Sequence, residues 1–213
     1  EAVDLDLASL SSVDRAVEAL ARRAPHLDAL INNAGVGGAR GITPDGFELA
    51  FGVNYLGHYA LTRRLLHRVD RVVHLTSGTH ARAERLDFRR FEKPTRSLTG
   101  VSEYAASKLC VMLFHHELAR RCPEVLSVAA DPGDVASDAW RHVPCPVRAL
   151  IVRGMKSPEE GARTSIHCAT APGLSTGSSF VDEAPFEASP LSRDPELAAM
   201  LWERSARYVG SYA

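Results

Sequence analysis

Tyr104 and Lys108 stand four residues apart in Tyr104-Ala105-Ala106-Ser107-Lys108, within a stretch at 99–122 whose apolar spacing predicts a long helix. A spacing of four puts the phenol and the ammonium on one helical face. A phenol titrates near 10 and is a poor base at neutral pH. A cation that lowered this by about three pH units would supply ~4 kcal/mol of differential stabilisation. Alone the pair is a weak motif, and a solvated surface contact fits it as well.

Two further polar residues stand where they could serve such a pair. Ser77 follows the apolar run Val72-Val73-His74-Leu75-Thr76. Its hydroxyl would lie at the carboxyl end of a strand, either holding a substrate oxygen or capping the strand. Asn54 sits among the apolar Val53, Tyr55 and Leu56 of a predicted helix, where an amide competes with the backbone and lowers propensity. A buried, water-holding amide and a solvated one both fit that position.

These residues are set in an alternation of strands and helices with no linker or low-complexity stretch. Strands are expected at 4–7, 27–32, 69–76, 125–130 and 179–182. Helices are expected from a cap at Ser11 or Ser12 to about Ala24, then at 45–67, 99–122, 158–169 and 194–209, with an Arg-rich loop at 78–98. This rhythm implies a parallel sheet covered on both faces, an α/β three-layer, doubly wound architecture. Ligands of such sheets bind at the carboxyl ends of the strands. Asn32-Asn33, Thr76-Ser77 and Asp131-Pro132-Gly133 each follow a strand, so the candidate residues converge on one edge.

The chain has 213 residues, with 25 basic and 26 acidic side chains and a net charge of −1, which fits one domain and argues against nucleic acid as a partner. No apolar run approaches the roughly 18–20 residues that span a bilayer. Cys110, Cys122, Cys145 and Cys168 are far apart and lack metal-like spacing, so they read as reduced thiols of a cytoplasmic protein. His115-His116-Glu117 lacks the H-E-x-x-H order of a zinc site, and Thr76-Ser77-Gly78 lacks the G-x-S-x-G elbow that would pair Ser77 with His80 as a hydrolase. Arg82, Arg85, Arg89, Arg90 and Arg96 read first as a solvated face.

In order, Asn32-Asn33-Ala34-Gly35, Asn54 in a helix, Ser77 after a strand, then Tyr104 and Lys108 resemble the short-chain dehydrogenase/reductase family, over nearly the whole chain. Phe51-Gly52-Val53-Asn54-Tyr55-Leu56-Gly57-His58, Lys156-Ser157-Pro158-Glu159-Glu160-Gly161-Ala162 and Leu201-Trp202-Glu203-Arg204-Ser205 are similar to its retinol-dehydrogenase-like branch. The resemblance implies a Rossmann-like fold and hydride exchange between NADP, or NAD, and an alcohol or carbonyl substrate. Tyr104 would be the general acid/base and Ser77 would orient the substrate oxygen. Lys108 would lower the Tyr104 pKa and bond the nicotinamide ribose, and Asn54 would hold a water relaying protons to Lys108. Asp6 and Leu7 would contact adenine, Asn33 and Gly35 the adenosine ribose, and Gly133, Val135 and Ser137 the nicotinamide. The apolar segment from Trp140 to Met155 would cover a lipophilic substrate, and the helices at 45–67 and 99–122 would pair two copies.

One part of the family pattern is not found in these residues. The Gly-rich loop that sets the pyrophosphate on a helix N-terminus belongs upstream of Asp6; Gly35-Val36-Gly37-Gly38 opens no helix and does not replace it. The chain therefore reads as a single domain over 1–213 that is N-terminally incomplete and lacks the first two strands. A strand at 4–7 would then be left several strand spacings from the one at 27–32. A non-catalytic relative acting only by self-association or binding stays open as the alternative.

Overall fold

The computed structural model describes residues 1–136 and 154–210. Four parallel strands, β1 (Leu30–Asn32), β2 (Arg71–Leu75), β3 (Leu126–Asp131) and β4 (Ser178–Val181), lie side by side in chain order. A short antiparallel β5 (Ala184–Pro185) closes the sheet. Asp182 and Glu183, at φ 51° and 63°, form its two-residue turn, the left-handed pair that a tight hairpin of this twist requires. Val72, Val73 and His74 of β2, and residues 127–131 of β3, are buried. Strands covered on both faces read as largely apolar runs, and Val72-Val73 and Val128-Ala129-Ala130 made these two legible.

One face carries α1 (Leu10–Arg23), the helical stretch after β1, and α4 (Val101–Arg121). The opposite face carries α5 (Pro158–Thr170), whose Cys168 packs with Val73, Val128 and Phe180. A Ser157–Glu160 capping box and Pro158 set its start. The last helix, α6 (Pro195–Tyr208), is capped by Asp194 and lies outside α4. Trp202 meets Tyr59 edge-on at 5.5 Å and Phe114 at 5.7 Å, and the Tyr55 and Ser205 hydroxyls bond at 2.7 Å. Through these contacts α6 packs on part of the helices at 45–67 and 99–122. Among the described residues, no helix is long and apolar enough to cross a membrane.

Three local expectations are corrected. Residues 4–7 form no strand. A strand exists only with a partner, and here the segment folds onto α1 instead: the Asp6 amide donates to Ser12 Oγ at 3.0 Å, and Leu7 enters the core against Gly57. The α1 cap is Ser9 rather than Ser11 or Ser12. The single helix expected at 45–67 begins instead at α2 (Leu49–Phe51), passes through a π-helical turn (Gly52–Leu56) and continues as α3 (Gly57–Leu65). Asp45 lies outside it and accepts from the Leu10 amide at 2.7 Å.

Candidate active site

The carboxyl edge of β2 and β3 receives side chains from three elements. Ser77 follows β2 and caps the turn Gly78–Arg82, accepting from the Thr79 amide at 3.3 Å and donating to Thr79 Oγ1 at 3.0 Å. α4 enters this edge through Gly100 at φ 68°, where a Cβ would stand 3.0 Å from the Ala39 carbonyl, so only glycine fits without strain. Glu103 then locks the entry, accepting from the Arg96 and Ser97 amides at 3.0 Å each. These contacts put Tyr104 in the first turn of α4, with its phenol near enough to Ser77 for that hydroxyl to act on its pKa. Lys108 follows one turn later, 5.7 Å from the Tyr104 ring centroid.

Charge at this edge differs from expectation in one respect. Lys108 is 7% exposed and its Nζ donates to the Leu75 carbonyl at 2.9 Å. Burial pushes its pKa down to about 8, against a raising influence from Asp131. The Tyr104 phenol is shifted above its ordinary value rather than below it. Burial is the main cause; the Ser77 hydrogen bond opposes it, and the charges of Asp131 and Asp134 reinforce it. The ammonium is engaged by a backbone carbonyl and also feels Asp131, while Asp131 and Asp134 both act on the phenol.

Asp131 was missed by sequence reasoning as a site residue. Its side chain is buried and accepts from the Gly133 amide at 2.8 Å. The available signal was its type: a carboxylate where a strand ends at the predicted ligand edge.

Asn54 lies in the π-helical turn and is 1% exposed. Its Oδ1 accepts from the Val36 amide at 2.7 Å, and its Nδ2 donates to the Val36 carbonyl and to Ser107 Oγ, both at 3.0 Å. Both amide hydrogens thus hold protein groups, clamping the loop after β1 to α4. The Asn54 carbonyl accepts from His58 Nδ1 at 3.1 Å, and burial takes His58 down to about 4. A π turn inside an α-helix is a frequent mark of a functional position.

The residues expected to bind a dinucleotide fall into two groups. Asn33 and Gly35 are exposed at the end of β1, with Gly35 against Asn54. Gly133 and Val135 stand beside α5, where the Ala136 amide donates to the Lys156 carbonyl at 3.0 Å and the Lys156 amide to the Asp134 carbonyl at 2.9 Å. With Tyr104 and Lys108, this set has the donors and the open backbone that a nicotinamide and its ribose require. Asp6 is exposed, but Leu7 is buried, so Leu7 has only backbone to offer an adenine. Asp45 occupies the N-terminus of α1, which makes that end unsuited to phosphate. Ser137 and residues 140–153 of the expected cover lie outside the described residues.

Residues 1–80 match the family profile described as short chain dehydrogenase. The chain is 37% identical to the human dehydrogenase/reductase SDR family member 13, over 97% of this chain and 58% of that protein, so it spans little more than half of that relative. It is also 37% identical to human retinol dehydrogenase 12, over 97% of this chain and 68% of the relative. A solved structure of an uncharacterized protein from Mycobacterium paratuberculosis superposes with a TM-score of 0.79 at 31% identity, over 98% of this chain and 75% of that one. With the Ser77–Tyr104–Lys108 edge already built on a parallel sheet, these likenesses make the chain a member of the short-chain dehydrogenase/reductase family.

Proposed function

We propose that the chain carries the proton-transfer centre of an NAD(P)-dependent oxidoreductase that interconverts an alcohol and its carbonyl. One observation carries the reading: Ser77, at the end of β2, and Tyr104 and Lys108, one turn apart on α4, meet at the carboxyl edge of a parallel sheet. When bound, a nicotinamide cofactor supplies or accepts the hydride. The chain manages the oxygen and the proton. Ser77 orients the substrate oxygen by hydrogen bonding. Tyr104 Oη gives that oxygen a proton as an alcohol forms, or takes one as a carbonyl forms. Such a transfer is typically worth about 10²–10⁴ in rate.

Lys108 bonds the nicotinamide ribose and steadies the phenolate when the proton has left, a charge pairing that low solvent exposure strengthens. Asn54 positions, holding the loop after β1 against the helix that bears Tyr104 and Lys108. Asn33, Gly35, Gly133 and Val135 receive the cofactor, with Ser137, Asp6 and the Leu7 backbone extending that surface. We favour NADP over NAD because the resemblance lies in the retinol-dehydrogenase-like branch. The name of retinol dehydrogenase 12 points to a lipophilic alcohol or carbonyl as the substrate class. The free thiols of Cys110, Cys122 and Cys168 suit a cytoplasmic location.

The test is Tyr104→Phe. Turnover is lost while far-UV circular dichroism and the urea midpoint stay near wild type; full activity in that variant refutes the mechanism.

A further inference from the structure

We propose that Asp131 is a positioning residue of this site, a buried counter-charge that keeps Lys108 an ammonium and Tyr104 a phenol. The inference rests on the reading of Tyr104 and Lys108 as the proton-transfer pair. Pairing of Leu75 with Ala130 sets Asp131 beside Thr76, whose amide donates to the Ala130 carbonyl at 2.9 Å. The carboxylate is thus fixed one residue from the carbonyl that holds Lys108 Nζ. Its Oδ1 accepts from the Gly133 amide, and its Oδ2 lies against Gly78, 3.6 Å from where a Cβ would stand there. The second oxygen is therefore aimed at the segment that carries Ser77. A charge held this way acts on both neighbours, raising the proton affinity of Lys108 and of Tyr104.

The other groups that face this pair do not substitute for it. His58 also faces Lys108 but is held down to about 4, so it is neutral at working pH. Asp134 also faces Tyr104, but it is exposed and water screens it. Lys156, beside Gly133, is ion-paired with Asp182. Ser77 brings a neutral hydroxyl and no charge. Asp131 is therefore the buried anion placed to offset the cost of an ammonium at this edge.

A purely structural account also exists: an Asp ahead of Pro-Gly often accepts from the amide two residues on, shaping the turn. Asp131→Asn separates the two, because the amide oxygen keeps that bond and the charge is gone. The chain has three lysines, Lys93, Lys108 and Lys156, so a ¹³C-lysine NMR titration of the whole protein resolves them, with Lys108→Met assigning the signal. Loss of Asp131 lowers the Lys108 midpoint by about one to three pH units and leaves Lys93 in place. An unmoved Lys108 midpoint in a folded variant overturns the proposal. Asp131→Ser, which also keeps an acceptor for Gly133, gives the same reading if the Asn variant fails to fold, and Asp131→Glu restores the wild-type midpoint. Turnover plays no part in this readout, so the pairing stands or falls apart from the activity assigned to Tyr104.

Discussion

Lys108 makes the folded protein less stable than it would otherwise be, by an amount that depends on pH. Its pKa falls from an ordinary 10.5 to about 8 in the folded chain. At ~1.36 kcal/mol per pH unit that difference is about 3 kcal/mol, a large part of a domain's stability. The sign follows from proton counting. Between pH 8 and 10.5 the unfolded chain holds the Lys108 proton and the folded chain does not, so stability rises with pH across that window. Below pH 8 both forms are protonated and the full cost is present. Lys108→Met removes this dependence, because methionine fills the site without a charge. Urea unfolding of both proteins at pH 7 and pH 10 gives the two stabilities. The difference between variant and wild type should shift by about 2–3 kcal/mol in favour of wild type on going to pH 10. A difference that stays constant with pH would show that the ammonium is not buried at this cost. The variant also loses turnover, so a group that burial penalises is retained for its chemistry.

Further expectations concern the supports of the site. Glu103, taken down to about 2 by its bonds to Ser97 and Ser102 against burial, contributes stability that is present above pH 4.5 and lost as pH falls towards 2. Glu103→Gln flattens the acid limb of a thermal-unfolding profile over that range; an unchanged limb would remove Glu103 from the lock on Tyr104. Trp202→Ala takes away the ring that seats α6 on Tyr59 and Phe114 and beneath the Arg63 and Arg121 guanidiniums at 4.5 and 4.9 Å. It costs about 3–5 kcal/mol by urea unfolding, and a loss under 1 kcal/mol would mean that α6 is held elsewhere.

Much of this site was readable in the residues because its geometry is local. The spacing of four between Tyr104 and Lys108 needs only a helix to bring them together, and Ser77 needs only a strand that stops. Central strands β2 and β3 announce themselves by apolar cores, Val72-Val73 and Val128-Ala129-Ala130, within short runs that turn signals bound. What could not be read depends on neighbours distant in sequence. Residues 4–7 alternate as a strand does, but pairing requires a partner, and the segment folds onto α1 and Gly57 instead. The π turn at Asn54 is held by Val36 and Ser107, 18 and 53 residues away. The upward shift of Tyr104 arises where β3 delivers Asp131 beside α4, a meeting that no single segment encodes.

The most direct test of cofactor-dependent chemistry at this edge is a fluorescence titration of NADPH and NADH into the purified protein, with its intact mass recorded alongside. Saturable binding, tighter for NADPH and weakened by Lys108→Met, is the outcome the account predicts. Absence of binding by either nucleotide to the folded protein would contradict it and leave the Ser77–Tyr104–Lys108 edge without a hydride partner.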